Sequence, residues 1–135
     1  KNTISKSDPA PKKFAIYRSH IASMDEGWTR WIFDKTNIWT TQPNALNVQN
    51  EEIRAANLRE KYDAIIFPDQ SPNQILNGYA KGMMPDEYTG GVGKEGVENL
   101  RKFVEAGGTL VFLNESSRFA IEQFKLPVRD VTRGL

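Results

Sequence analysis

The 135-residue sequence predicts a three-layer α/β sandwich with a mostly parallel sheet of four or five strands. Three observations lead to this prediction. Apolar runs alternate along the chain with segments of helical periodicity, as in a parallel sheet with right-handed crossovers. The run 62–68 (YDAIIFP) is apolar and ends at a proline, which is typical of a strand buried on both faces. The segment 94–106 has helical spacing and stops at Gly107-Gly108, directly before a second apolar run.

The first predicted strand and helix occupy residues 14–35. The short apolar run 14–17 (FAIY) is the strand. Ser23 followed by Glu26 matches the capping box S-x-x-E, so a helix is expected from Met24 to about Lys35. Its apolar residues at i, i+3 and i+4 are interpreted as a core face, with a sugar- or base-stacking platform as the alternative: Trp28, Trp31 and Ile32.

Residues 38–61 give weaker signals. The segment 38–41 (IWTT) is a weak candidate for the second strand, and 42–50 is rich in turn-forming residues. The segment 51–61 is expected to form a short helix, which leads to the strand at 62–68.

The second half begins with a long Gly- and Pro-rich connection at 69–93, which contains a short helix at 73–77. Loops of this length are usually functional or disordered, and we expect this one to cover the carboxyl edge of the sheet. The helix 94–106 carries an apolar face of Val97, Leu100, Phe103 and Val104. A buried strand at 109–113, a helix at 116–124 with Ser116 as its N-cap, and a last short strand after 126–128 complete the prediction.

Composition narrows the classes of function. Residues 1–13 hold four Lys and one Asp and are interpreted as a linker or disordered lead-in to a single domain at 14–135. Without that segment, 14 basic and 16 acidic residues remain, which argues against a nucleic-acid partner. The chain has no Cys and one His, which excludes disulfides, thiolate nucleophiles and metal sites built on Cys or on several His. No apolar run reaches the ~18 residues of a membrane span.

Polar side chains follow three of the predicted strands, at 18–20 (RSH), 69–71 (DQS) and 114–117 (NESS). Ligands of open parallel sheets bind beyond the carboxyl ends of the strands, where these segments meet. His20 is a candidate general base with Asp69 or Glu115 as its orienting partner, although a lone His after a strand is more often a hydrogen-bonded loop residue. The candidate ligand or partner site comprises His20, Arg30, Asp69, Gln70, Tyr88 and Glu115. The alternative is structural: Asp25, Arg30 and Asp69 pair locally and hold the long loop.

Residues 100–113 (LRKFVEAGGTLVFL) resemble the helix, Gly-Gly and strand that lead into the nucleophile elbow of class I glutamine amidotransferase-like domains, which have a flavodoxin-like fold. In active members the strand runs into a turn that carries a catalytic Cys. The matching position here is Asn114, and no His follows it. The resemblance therefore implies a degenerate elbow and no catalytic residue.

Four segments resemble the C-terminal domain of large bacterial zinc carboxypeptidase-like proteins: 22–31 (ASMDEGWTRW), 68–72 (PDQSP), 85–93 (PDEYTGGVG) and 126–129 (LPVR). This resemblance covers residues 14–135 and implies that the chain belongs to a longer parent protein. The zinc ligands of that family lie in a separate peptidase domain, so no cofactor is expected in this domain. An extracytoplasmic location and an adjacent peptidase domain as partner follow from the resemblance alone.

The resulting expectation is a non-catalytic amidotransferase-like accessory module that serves binding, positioning or assembly. One alternative is an independent hydrolase that uses His20 with Asp69 or Glu115. The other is a structural module that forms a homodimer, because an open parallel sheet leaves an exposed edge that needs cover.

Overall fold

The computed structural model describes residues 12–36 and 46–132. Four strands are present in this part of the chain: β1 (Phe14–Tyr17), β2 (Leu46–Val48), β3 (Ala64–Phe67) and β4 (Thr109–Phe112). Six α-helices accompany them: α1 (Met24–Thr36), α2 (Asn50–Arg54), α3 (Leu58–Lys61), α4 (Pro72–Asn77), α5 (Gly93–Glu105) and α6 (Ser116–Phe124). A 3₁₀ turn spans Asp86–Tyr88.

The sheet has the order β2-β1-β3-β4, and every pair of neighbouring strands is parallel. Ala15 lies opposite Ile65, which in turn lies opposite Leu110. The two central strands hold most of the fully buried strand residues, because only they have neighbours on both sides. The predicted α/β class with a parallel, flavodoxin-like sheet is therefore confirmed.

The main core lies on one face of the sheet. Alternate strand residues point to the same face, and here they meet apolar side chains of α2 to α6. The Phe67 ring stacks between Tyr17 and Phe112, with ring centroids 4.7 Å from each. The buried members of this cluster are Ala15, Tyr17, Val48, Ile53, Leu58, Tyr62, Ile65, Phe67, Ile75, Val92, Val97, Leu100, Phe103 and Phe119.

Helix α1 begins as predicted, since the backbone N–H of Glu26 donates to Ser23 Oγ at 3.2 Å. The interpretation of its aromatic face as core is wrong. Trp28 is 62% exposed, Trp31 53% and Ile32 49%, and no residue of the helix is buried. On the half-buried side of the helix, Arg30 pairs with Glu26 and with Asn47 on β2. The apolar stripe consequently faces outward.

Three further predictions are corrected on the strands. The candidate strand 38–41 lies outside the described residues, and β2 forms within the segment 42–50 that was expected to be turns. The strand at 109–113 is only partly buried, because it lies at the sheet edge. No strand follows 126–128 among the described residues, which continue to 132 without regular structure.

The helix predictions need smaller corrections. The segment 51–61 contains two short helices, α2 and α3, separated by residues with positive φ at Ala56 and Asn57. On α5, Val97, Leu100 and Phe103 are buried as predicted, whereas Val104 is exposed. The predicted linker 1–13 lies outside the described residues except for Lys12 and Lys13; the Lys13 backbone N–H donates to Asp63 Oδ2 at 2.8 Å.

Candidate functional site

A small cavity of about 150 Å³ lies at the carboxyl ends of the central strands. From β1 the chain crosses to β2, and from β3 it proceeds to β4 on the opposite side. The two connections diverge there, which creates the crevice where open α/β sheets bind ligands. The polar residues that line the cavity are Arg18, Ser19, Ser23, Glu26 and Gln70.

Gln70 is the buried polar side chain of this cavity. Its Nε2 donates to Ser19 Oγ at 2.8 Å, and Ser19 Oγ also accepts the N–H of Ile21 at 3.1 Å. These bonds fasten the segment after β1 to the segment after β3. The crevice is therefore preformed by hydrogen bonds within the chain.

His20 lies outside this cavity, and its partner is Glu51 on α2. The His20 Nε2 atom is 3.2 Å from Glu51 Oε1. The Tyr88 and His20 rings pack in a T-shaped arrangement with centroids 5.4 Å apart, so the long loop reaches the carboxyl edge as predicted. Burial alone raises the pKa of Glu51, but hydrogen bonds from its own backbone and from His20, together with the nearby charges of His20 and Arg54, bring the pKa below its ordinary value.

The turn between β4 and α6 has the shape of an elbow. Asn114 has a φ of +49°, a left-handed conformation that Asn tolerates better than most residues. Its Nδ2 donates to Asp69 Oδ2 at 2.5 Å. The next backbone N–H, of Glu115, donates to Asp69 Oδ1 at 3.1 Å. The carboxylate of Asp69 thus closes the elbow at the amino-terminal end of α6.

The hydroxyl of Ser116 is not the N-cap of α6, which corrects the sequence prediction. The helix starts at Ser116 with Glu115 in the N-cap position. Ser116 is fully buried, and its Oγ lies 2.7 Å from the carbonyl of Leu113 and 3.1 Å from that of Phe67. Its proton is directed to backbone carbonyls, so this hydroxyl acts as a structural bridge between β3 and the elbow.

Two residues of α2 hold the long loop by hydrogen bonds to its backbone, a contribution that neither sequence interpretation of this edge included. Asn50 accepts a hydrogen bond from the Tyr17 hydroxyl at 2.6 Å and donates to the carbonyl of Gly90 at 3.2 Å. Arg54 donates to the carbonyl of Gly91 at 2.5 Å. Burial raises the pKa of Tyr17 well above its ordinary value, which keeps this hydroxyl protonated as the donor.

The six predicted site residues lie in four separate places. Asp69 and Glu115 belong to the elbow, His20 and Tyr88 form the pair beside Glu51, and Gln70 lines the cavity. Arg30 is engaged with Glu26 and Asn47 on α1 and β2. Glu115 forms an ion pair with Arg118 at 2.5 Å.

Three residues of α2 contribute to this edge and were not singled out in the sequence: Asn50, Glu51 and Arg54. The sequence around them, NEEIR, is an ordinary helix start. Nothing local distinguishes it, because their partners lie about 30 to 40 residues away in sequence.

No group of three or more His, Asp or Glu side chains is placed to hold a metal ion in the part of the chain that the structure describes. Nor does any helix there have the length and apolar character needed to cross a membrane.

Comparison of the chain with protein-family models, with curated proteins and with solved structures finds no match.

Proposed function

We propose that the chain is a non-catalytic, amidotransferase-like accessory module that binds, positions or assembles a partner, such as the peptidase domain of a zinc carboxypeptidase-like protein. The observation that carries the non-catalytic part is the carboxylate of Asp69 on the backbone N–H of Glu115, at 3.1 Å. In an active elbow, the N–H after the nucleophile is free to receive the oxyanion of the reacting substrate. Here an internal anion already occupies it and would repel a second one.

The residue at the elbow supports the same proposal. Asn114 has no nucleophilic atom, and its amide is committed to Asp69. The neighbouring Ser116 hydroxyl is buried and bonded to backbone carbonyls. The groups of the elbow therefore satisfy one another, and none is left to attack a substrate.

The first test is an assay for turnover. Release of ammonia from glutamine and cleavage of an activated ester such as p-nitrophenyl acetate are measured with the wild-type chain and with His20→Ala and Glu51→Gln. We expect no turnover above buffer in any of the three. Turnover that falls in both variants would replace this proposal with the hydrolase alternative, in which His20 is a base oriented by Glu51 at 3.2 Å.

The second test probes the elbow with a thiol, which is possible because the chain contains no Cys. We compare Asn114→Cys, Asn114→Cys with Asp69→Ala, and the exposed reference Val128→Cys by the pH dependence of iodoacetamide alkylation. In the single variant the adjacent Asp69 carboxylate should raise the thiol pKa above the ordinary value of about 8.5. Removal of Asp69 should lower the pKa below that of the reference, because the amino-terminal end of α6 then faces the thiolate. Equal midpoints in all three proteins would refute the elbow interpretation.

A further inference from the structure

Strand β4 forms an open edge of the sheet within the described residues. Natural edge strands are usually protected by charged residues, proline, bulges or a covering segment. The segment 109–113 (TLVFL) has neither a charge nor a proline. Val111 is 38% exposed, and Leu113, just past the strand, is also exposed. Within the described residues, β4 is a short strand whose edge is protected by neither a charge nor a proline.

The backbone groups that face outward can be identified from the hydrogen bonds to β3. The N–H of Thr109 donates to the carbonyl of Asp63 and that of Leu113 to Phe67, each at 3.0 Å. Because strand residues alternate in direction, the N–H and C=O groups of Leu110 and Phe112 point away from β3. No further strand pairs with them in the described part of the chain.

Two grooves flank this edge, one on each face of the sheet. On the core face, a groove of about 560 Å³ is lined mainly by apolar side chains from β4, α5 and α6, including Val104, Leu110, Phe112, Phe124 and Leu126. On the opposite face, a groove of about 390 Å³ has apolar lining from Phe14, Ile66 and Val111, with the charged residues Lys12, Arg59 and Asp63 also among its walls. An extended strand sends alternate side chains to both faces, so it can fill both grooves, whereas a helix can fill only one.

We propose that β4 of a second copy of this chain occupies the edge and produces a continuous sheet across a two-fold axis. When this axis is perpendicular to the sheet, the two identical strands are antiparallel and each copy keeps its core face on the same side. The outward N–H and C=O groups of Leu110 then pair with those of Phe112 in the second copy, and the axis passes beside Val111. The added strand places Leu110 and Phe112 toward the groove on the core face and Val111 toward the groove on the opposite face, and both grooves offer apolar side chains to meet them.

This assembly does not depend on the proposed function, because it uses the sheet edge and not the elbow. A chain with glutaminase activity could pair in the same way, and an inactive chain could remain a monomer. The turnover and alkylation assays therefore leave this inference open, and the experiments below leave the proposed function open.

The first experiment uses Val111→Cys in the otherwise Cys-free chain. In the proposed register the two Val111 residues form a non-hydrogen-bonded pair with Cα atoms about 4.5 Å apart, which a disulfide can bridge. Under mild oxidation we expect a disulfide-linked dimer to form at protein concentrations at which Val128→Cys remains monomeric. Val128 is exposed and lines neither groove, so it reports random collision. Equal cross-linking of the two variants would overturn the proposal.

The second experiment measures association of the unmodified chain by sedimentation velocity over a range of concentrations. The wild-type chain should form a dimer, and Val111→Lys should lower its association constant by about tenfold or more, because two like charges then face each other across the axis. Val128→Lys is the matched control and should associate like the wild type. A monomeric wild type, or a dimer that Val111→Lys leaves intact, would overturn the proposal. If Val111→Lys does not fold, as judged by circular dichroism, the cross-linking result decides.

Discussion

Replacement of Asp69 by Ala should destabilise the protein by about 2 kcal/mol. The side chain accepts two hydrogen bonds, from Asn114 Nδ2 at 2.5 Å and from the N–H of Glu115 at 3.1 Å. Bonds to a charged group contribute about 1.5–3 kcal/mol when buried and less near the surface, where Asn114 lies. The bond to Glu115 resembles that of an N-cap side chain, which contributes about 1 kcal/mol. The negative charge of Asp69 also interacts favourably with the amino-terminal end of α6.

The assay for this prediction is urea denaturation followed by circular dichroism, with Glu122→Ala as the control. Glu122 is an exposed carboxylate in the second half of α6, and its loss should change the free energy of unfolding by no more than about 0.5 kcal/mol. A double-mutant cycle with Asn114→Ala isolates the coupling between the two side chains, which should be about 1 kcal/mol. If Asp69→Ala unfolds at the same urea concentration as the wild type, Asp69 does not hold the elbow and the reasoning is wrong.

Three further predictions concern the long loop and the amino-terminal edge of the sheet. Asn50→Ala leaves the buried Tyr17 hydroxyl and the Gly90 carbonyl without their partner, so it should lower the free energy of unfolding by about 2 kcal/mol. In the double variant with Tyr17→Phe, the decrease in the free energy of unfolding should be smaller than the sum of the decreases in the two single variants. Gly91→Ala would place a Cβ 2.3 Å from the Ile75 carbonyl and should lower the melting temperature, while Gly27→Ala, which has open space and lies within α1, should raise it slightly. A hydrogen bond from the Lys13 backbone, followed by the interaction with Arg59, holds the pKa of Asp63 below its ordinary value of 3.8. The stabilisation that the Asp63 carboxylate provides is therefore present above pH 3.8 and is lost as the pH falls through the lower pKa of the folded state. Asp63→Asn should flatten this part of a plot of stability against pH, and an unchanged slope would contradict the assignment.

The central part of the fold could be predicted because its signals are local. The segments 64–67 and 14–17 are short runs of apolar residues, most of them β-branched or aromatic. Helix α5 ends just before Gly107-Gly108, a common signal for the end of a helix. These features determine the backbone whatever surrounds them. The parallel arrangement then follows from the alternation of strands and helices, since each strand needs a crossover before the next.

The direction of the α1 stripe could not be predicted because periodicity defines a face but not the partner of that face. Trp28, Trp31 and Ile32 do share one side of the helix, as their spacing requires. That side is exposed because Arg30 forms polar contacts with Glu26 and with β2 on the other. The same reasoning applies to Val104, which shares the apolar stripe of α5 but is exposed in the groove beside β4.

The sequence predicts the region of the candidate site but not the contacts within it. The rule that ligands bind beyond the carboxyl ends of strands correctly brought the segments after β1, β3 and β4 to one edge. Which atoms pair there depends on side-chain reach and on α2, whose residues Asn50, Glu51 and Arg54 carry no distinctive signal. Asp69 was therefore considered as a partner for His20, although its oxygens accept from the elbow.

The distribution of satisfied and unsatisfied groups favours association over chemistry. The carboxylates of Asp69 and Glu51 each accept two hydrogen bonds from within the chain, which hold them in place as parts of the structure. The exposed surface, in contrast, carries apolar groups that water does not satisfy, such as Trp28 and Trp31 on α1 and Val111 on β4. Complete burial of one such large side chain contributes about 1.5–3 kcal/mol. Several of them must be buried in the same interface to offset the entropy lost on association. This condition favours the sheet edge over isolated contacts, because strand addition at β4 buries side chains of both faces and pairs the outward backbone groups in the same step.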